Sequence, residues 1–309
     1  MSTPLSDRTV LVTGGAGFVG SHLAAALVPD NEVRVLDDCS TGDPERVPDD
    51  AELYAADVRD EAALERAMAD VDCVFHQAAM VSVPESVERP LDCHRTNTDA
   101  TAALLDRARR TDTRVVLASS AAVYGDPAST PVAEDDPTAP TAPYGVSKLA
   151  TDHLARVYAD RYDLPTVSLR YFNVYGTGAN GGVVDTFCRR ALAGESLVVH
   201  GDGEQTRDFV HVDDVVAANL LAATTEHTGS VFNVGTGRGV TVRTLADRIS
   251  DLAPTDVAVS HAAERVGDIR HSCANVSRAR ARLGFEPSVG LEAGLRRTIA
   301  GYRSNRASP

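Results

Sequence analysis

A chain of 309 residues is long enough for one large or two closely packed domains with a sizeable core, and too short for three. Its formal charge of −14, spread along the chain, repels nucleic-acid phosphates and anionic membrane surfaces, so neither nucleic acid nor membrane is expected as a partner. The N-terminus lacks a basic stretch ahead of an apolar run, and no segment sustains the roughly 20 apolar residues of a membrane span; a soluble cytoplasmic protein is expected.

Short β-branched runs and longer helix-compatible stretches then alternate from Arg8 to Ser119: Thr9–Thr13, Phe18–Val28, Glu32–Leu36, Glu61–Ala69, Cys73–His76, Asp92–Arg110 and Arg114–Ser119. Strands alternating with helices predict an α/β fold with a parallel, doubly wound sheet. Asp126–Pro143, rich in Pro, Thr, Asp and Ala, reads as a long loop before a helix that begins near Tyr144. After Thr166–Phe172 the glycine-rich Gly176–Gly182 marks passage to a smaller region. Its elements are a helix near Asp185–Ala193, a strand at Ser196–His200, a helix over Asp213–Ala223, a strand at Val231–Val234 and a helix near Val242–Leu252.

Two compositional details carry chemistry. The cysteines (Cys39, Cys73, Cys93, Cys188, Cys273) form no CxxC pair and no cluster at metal-ligand spacing, so neither a disulfide frame nor a metal site is expected. Lys148 is the single lysine; the remaining basic residues of the 30 Lys+Arg are arginines. Excess carboxylate with almost no lysine resembles proteins of a high-salt, halophilic cytoplasm, where screening makes a dense negative surface tolerable. It also marks Lys148 for chemistry that a guanidinium cannot perform.

The first strand is followed by Gly14, Gly17 and Gly20 and then by a helix start, which suits a tight turn, close backbone approach to a pyrophosphate, and a helix N-terminus facing the anion. The second strand ends at Asp37, whose carboxylate can accept bonds from adenosine ribose hydroxyls and would repel a 2′-phosphate; NAD is favoured over NADP. Asp57-Val58, at the end of a third strand, is placed to hold adenine, although Asp57 could instead cap the next helix. Gln77-Ala78-Ala79 follows the fourth strand, where small residues would let backbone approach the cofactor.

Tyr144 and Lys148 stand four apart at a helix start, on one face. A nearby ammonium is expected to lower the tyrosine pKa and make it a general base near neutral pH, with the hydroxyl of Ser120 polarising the same substrate oxygen.

Together, the glycine turn, Asp37, Ser120 and Tyr144-Gly-Val-Ser-Lys148 resemble extended short-chain dehydrogenase/reductases over essentially the whole chain. Three later segments, Arg170–Gly176, Gly201–Asp214 and Arg265–Ser272, are similar to the nucleotide-sugar-binding parts of UDP-sugar epimerases. The resemblance implies a Rossmann-type NAD-binding domain over residues 1–175 and a smaller nucleotide-sugar-binding region over 176–309, some elements of which return to the first. It implies that Gly14, Gly17, Phe18, Val19, Gly20, Asp37, Asp57, Val58, Gln77, Ala78, Ala79, Asn97, Tyr144, Lys148 and Tyr171 hold NAD. Ser82, Ser120, Tyr144, Asn173, Arg207, Arg265, Asp268 and Ser272 would hold the UDP-sugar, the arginines on the diphosphate and Asp268 on the uridine ribose. A homodimer through the helices near Asp92–Arg110 and Tyr144–Arg161 is likewise implied.

Which reaction follows depends on two alanines. The related 4,6-dehydratases carry Asp-Glu directly after the serine/threonine position, and the UDP-glucuronate decarboxylases keep a glutamate; here those places are Ala121 and Ala122. Epimerisation at C4 of a UDP-hexose through a 4-keto intermediate is the expected outcome. The alternatives are another nucleotide-sugar dehydratase, decarboxylase or reductase, or a non-catalytic NAD-binding regulator. Ser272, in place of a bulky tyrosine, is similar to enzymes accepting N-acetylated sugars; Asn275 stands where an aspartate is usual in the family.

Overall fold

The computed structural model describes residues 5–265 and 267–307. Its first layer is assembled from β1 (Thr9–Thr13), α1 (Phe18–Leu27), β2 (Glu32–Asp37), β3 (Glu52–Ala55), α2 (Glu61–Ala67) and β4 (Cys73–His76). Next come α3 (Val83–Glu88), α4 (Pro90–His94), α5 (Ala100–Thr111), β5 (Arg114–Ser120), α6 (Pro143–Tyr162) and β6 (Thr166–Tyr171). The expected single helix over Asp92–Arg110 is interrupted by one π-helical turn at Arg95–Asp99, which swings Asn97 toward the loop after β4. β3 ends at Ala55, two residues before Asp57.

The remaining elements are β7 (Asn173–Tyr175), α7 (Gly182–Leu192), β8 (Leu197–His200), β9 (Thr206–His211), α8 (Val212–Thr224) and β10 (Ser230–Val234). The chain closes with β11 (Gly239–Thr241), α9 (Val242–Leu252), β12 (Val259–Ala262), α10 (Ser277–Leu283) and α11 (Leu291–Ala307).

Seven parallel strands form the large sheet in the order β10-β6-β5-β4-β1-β2-β3. The order reverses between β1 and β4, which opens a crevice at the carboxyl ends of those strands. Both faces are covered, and this is why its strands read as apolar runs. On one face Leu23, Ala24 and Leu27 of α1 meet Val215, Ala218 and Ala222 of α8 over Val10, Val12 and Phe75. On the other, Leu104, Leu105, Ala155 and Leu164 pack on Leu11, Val74, Val115 and Leu117. α8 and β10 thus belong to the large sheet although they lie beyond residue 176: α8 is the right length to cross one face and return the chain beside β6.

The smaller region holds a three-stranded sheet, β11-β9-β7, and a two-stranded one, β12-β8. Its core is Phe187, Leu197, Phe209, Leu245, Ile249, Leu295 and Tyr302. The loop Asp126–Pro143 is fastened across to this side: Val132 donates to the Cys273 carbonyl at 2.8 Å and accepts from the Asn275 amide at 2.8 Å. The segment that ends in Ser272–Asn275 and the loop that leads into α6 are therefore one connected structure.

Candidate active site

At the crevice the chain presents backbone. Gly14 has φ +70°, and a Cβ there would stand 2.6 Å from the Ala78 nitrogen, so the turn and the Gln77–Ala79 strand end pack backbone to backbone. A Cβ on Gly20 would collide with the Gly14 carbonyl, which draws the first turn of α1 against β1. On Gly17 it would meet only that carbonyl, at 3.1 Å, leaving the crevice side open. Gly17 is the N-cap and brings no side-chain cap, so the first amides of α1, at Phe18 and Val19, face the crevice as anion donors.

Asp37 accepts the Ala16 amide at 2.9 Å and the Cys39 amide at 2.8 Å; both contacts orient its carboxylate at the end of β2. This open, amide-lined groove ending at a carboxylate fits a dinucleotide without a 2′-phosphate.

Three expected contacts differ in kind. Asp57 is gripped by Arg59, whose Nε lies 2.9 and 3.0 Å from its two oxygens, and this hydrogen bond holds the carboxyl below its usual range. It does not cap α2, because Asp60 does, accepting the amides of Ala62 and Ala63. The Val58 side chain is buried in the core with Leu36 and Leu64, leaving its backbone for a ligand. Asn97, 1% exposed, spends its amide on neighbours: it accepts from the Met80 amide at 2.8 Å and donates to the Met80 carbonyl and to Ser147 Oγ. It braces the loop after β4 against α6.

Pro143 at the first position starts α6, and Ser86 supplies the missing cap by accepting the Tyr144 amide at 3.2 Å. Ser120, at the end of β5, lies close enough to the Tyr144 phenol to favour its ionised form. Lys148 Nζ donates to the Ala118 carbonyl at 2.8 Å, and burial pushes its pKa down to about 8. The Tyr144 phenol, however, is shifted up: burial outweighs the influence of Ser120, and the Lys148 ammonium, turned toward β5, does not offset it. The expected lowering by lysine alone is corrected by that geometry.

Where α6 begins, a cavity of about 360 Å³ is lined by residues that include Val83, Ala122, Thr141, Gly145, Arg207, Arg265 and Asp268. Arg207 and Asp268 form an ion pair with each other, and burial pulls the Arg207 guanidinium slightly down. Ser82 caps α3, accepting the Glu85 amide, one residue before cavity-lining Val83. Asn173 is exposed where β7 begins, in register with Phe209, two residues past Arg207. Ser272 is half-buried, its amide on the Thr206 carbonyl, and does not line the cavity. Ala122 does line it, placing an apolar methyl beside Tyr144's helix.

Residues 10–235 match the model of the NAD dependent epimerase/dehydratase family. The chain belongs to that family. Among its members, the UDP-glucose 4-epimerase of Azospirillum brasilense is 37% identical, the alignment covering 92% of this chain and 88% of that protein. Two solved family structures superpose over nearly the whole chain. One is a UDP-N-acetylglucosamine 4-epimerase from Methanobrevibacter ruminantium in complex with UDP-N-acetylmuramic acid, with TM-score 0.94, 36% identity, and coverage of 97% of this chain and 100% of that one. The other is a UDP-glucose 4-epimerase from Thermotoga maritima with UDP-glucose, with TM-score 0.93, 37% identity, and coverage of 96% and 99%.

Several residues of this family site escape a reading of the sequence. Asn219 of α8 bonds the Tyr171 hydroxyl at 2.8 Å and the Gln77 amide at 3.2 Å, tying the ends of β6 and β4 together behind the crevice. Tyr171, pushed up to about 12 by burial, stays a neutral phenol there. A polar residue inside the apolar run of α8 was the available signal. His76 is buried between Thr13 and Thr101, 2.8 Å from each hydroxyl. Since Thr101 donates to the Asn97 carbonyl, its oxygen must accept from His76 Nε2, leaving Nδ1 to accept from Thr13.

Proposed function

We propose that this protein interconverts C4 epimers of a UDP-hexose, UDP-glucose with UDP-galactose and also their N-acetylated counterparts, using NAD that it retains. The observation that carries this reading is a cavity lined by Arg207, Arg265 and Asp268 together with Ala122, Ala142 and Gly145, the last three being chain neighbours of the Ser120–Tyr144 pair. The arginines suit a diphosphate, and Asp268 suits a ribose diol. In this assignment Gly14–Gly20, Asp37 and Gln77–Ala79 hold NAD, with Tyr171 and Asn97 bracing the groove. Asn173, Ser82 and Ser272 complete the nucleotide-sugar side. The same assignment divides the chain near residue 175.

Tyr144 removes the proton of the sugar 4-hydroxyl while Ser120 hydrogen-bonds that oxygen. When bound, NAD supplies a positively charged nicotinamide that accepts the C4 hydride and returns it to the other face. Lys148 would orient the ribose beside it, and the positive charge of bound nicotinamide would join the Lys148 ammonium in favouring the phenolate of Tyr144, which burial alone keeps protonated. The cavity volume leaves the 4-keto sugar room to turn between the two hydride transfers. Ala121 and Ala122 offer neither acid nor base, so these two positions supply nothing to start an elimination.

The protein is further proposed to be a cytoplasmic homodimer of a salt-adapted cell. Val87, Leu91, Val146 and Val157 are 46–68% exposed on α3, α4 and α6, an apolar face suited to a second copy. Light scattering in concentrated KCl tests the dimer.

Incubation with UDP-galactose and, separately, UDP-GalNAc, with no added cofactor, tests the reaction. Chromatography is expected to reveal the C4 epimer of each; loss of water, loss of CO₂ or net NADH consumption would replace the reading with another family reaction.

A further inference from the structure

Among the buried side-chain atoms of the described residues, Ser119 Oγ, Ser168 Oγ and Asp152 Oδ1 have no hydrogen-bond partner, and the fold brings these three together. β5 and β6 pair with Leu117 opposite Ser168 and Ser119 opposite Arg170, so Ser119, Ser168 and Arg170 project from one face of the sheet. α6 covers that face, burying Lys148, Thr151, Asp152 and Ala155. Two contacts fix its alignment: Thr166 donates to the Ala155 carbonyl at 2.8 Å, and Arg170 Nε donates to Asp152 Oδ2 at 2.8 Å.

Lys148 lies one turn before Asp152 on the same face, and its Nζ reaches the carbonyl of Ala118, the neighbour of Ser119. A lysine, a carboxylate with one uncommitted oxygen and two serine hydroxyls are thus enclosed behind the catalytic helix.

The groups that face Lys148 are few. Asp152 and Tyr144 come from its own helix, Cys93 from α4 and His76 from β4. His76 is neutral, since burial pushes it to about 3. Arg170 on β6 has its charge engaged by Asp152 and stacked over the Tyr124 ring. Asp152 is the one carboxylate of this set. Burial drives Lys148 toward the uncharged amine, and the charge on Asp152 is the leading influence in the opposite direction.

We infer that Asp152 is a positioning residue of the Tyr144–Lys148 pair: Arg170 fixes one of its oxygens, and its charge, one helical turn along the same buried face from Lys148, favours the ammonium form of that lysine from behind. The inference rests on the reading of Lys148 as catalytic. Its physical core, the coupling of two buried charges, can be measured without turnover.

Because Lys148 is the chain's single lysine, labelling with [15N]lysine yields one ε-ammonium signal whose pH titration reports this group alone. Asp152→Asn is expected to lower the titration midpoint by about one pH unit or more, and Asp152→Glu to return it. The alkaline limb of kcat for the wild-type substrate should move down with it, while KM for the UDP-sugar stays unchanged. Ser168→Ala, which removes no charge, should leave the midpoint in place.

Should Asp152→Asn fail to fold with Arg170 left unpaired, Asp152→Asn/Arg170→Gln is read against Arg170→Gln alone, and the double variant is expected to titrate at the lower pH of the two, since they differ only in the charge on Asp152. An unchanged midpoint in folded Asp152→Asn, no difference between the double variant and Arg170→Gln, or a uniform loss of kcat at every pH overturns the inference. A shifted midpoint in a protein that turns over no UDP-sugar would strike the proposed function and leave the Lys148–Asp152 coupling standing.

Discussion

Along the crevice between β1 and β4 the chain offers amides and glycines, tightly packed backbone against backbone at Gly14, Gly20 and Ala78. Across the cleft the materials change: Arg207 from β9 and Arg265 and Asp268 from the following segment offer charged side chains, two of which neutralise each other. The first surface is set by the path of the main chain and tolerates little added volume. The second is set by flexible groups that can trade a protein partner for a phosphate. In the proposed reaction, rigidity thus lies on the side assigned to the retained NAD, and adaptability on the side assigned to the exchanging UDP-sugar.

Substitutions can break or sharpen this contrast. Tyr144→Phe, at the seam between the two sides, is expected to lower kcat by about 10²–10⁴-fold with little change in KM, measured by steady-state epimerisation. Gly20→Ala forces a methyl onto the Gly14 carbonyl, which costs about 1–3 kcal/mol; the purified protein should carry less NAD after acid release and regain activity when NAD is added in excess. Arg207→Leu removes a charged donor from the adaptable side and should raise KM for the UDP-sugar by roughly 10–100-fold, with retained NAD unaltered. If Arg207→Leu instead strips the NAD, the two sides are not separable.

Acid should act on the rigid side first. His76 has its folded pKa depressed to about 3, so above its unfolded value near 6.5 it is neutral in both states and costs nothing. As pH falls below that value only the unfolded chain binds the proton, and stability is lost at up to about 1.4 kcal/mol per pH unit until about pH 3. Urea midpoints at several pH values should show this slope, and His76→Gln should flatten it. The smallest effect is expected at Asp60→Ala, which uncaps α2 far from the catalytic groups; about 1 kcal/mol of stability should be lost with kcat unchanged, by denaturant melts and assay.

The same contrast governs what the sequence could disclose. The glycine turn, Asp37 and the Tyr144/Lys148 pair are local: each is a short spacing whose geometry follows from one strand end or one helix turn. Arg207, Arg265 and Asp268 were legible only through family resemblance, because their meeting depends on how separate loops fold over one cavity. The partners that hold the site together, Ser86, Asn219 and the Thr13–His76–Thr101 chain, come from elements far apart in sequence and carry no motif. Burial was the hidden variable at Tyr144: spacing brought the lysine onto the same helix face, but the lysine's bond to Ala118 and the loss of solvent decide the phenol's direction. At Asp57 the strand-end position left a ligand contact and a helix cap both open; the cap of α2 is Asp60, and Asp57 pairs with Arg59, two residues away.

The ladder between Val132 and the Cys273–Asn275 segment sets the unit in which this site can be exchanged. A chimera that imports residues 265–275 from a relative, to admit another nucleotide, would arrive with a seam cut through that ladder and a misfit beneath the loop that launches the catalytic helix. The transplantable module is therefore discontinuous: residues 131–134 must travel with the segment 140 positions downstream, and libraries built on either piece alone will confound altered recognition with a displaced Tyr144.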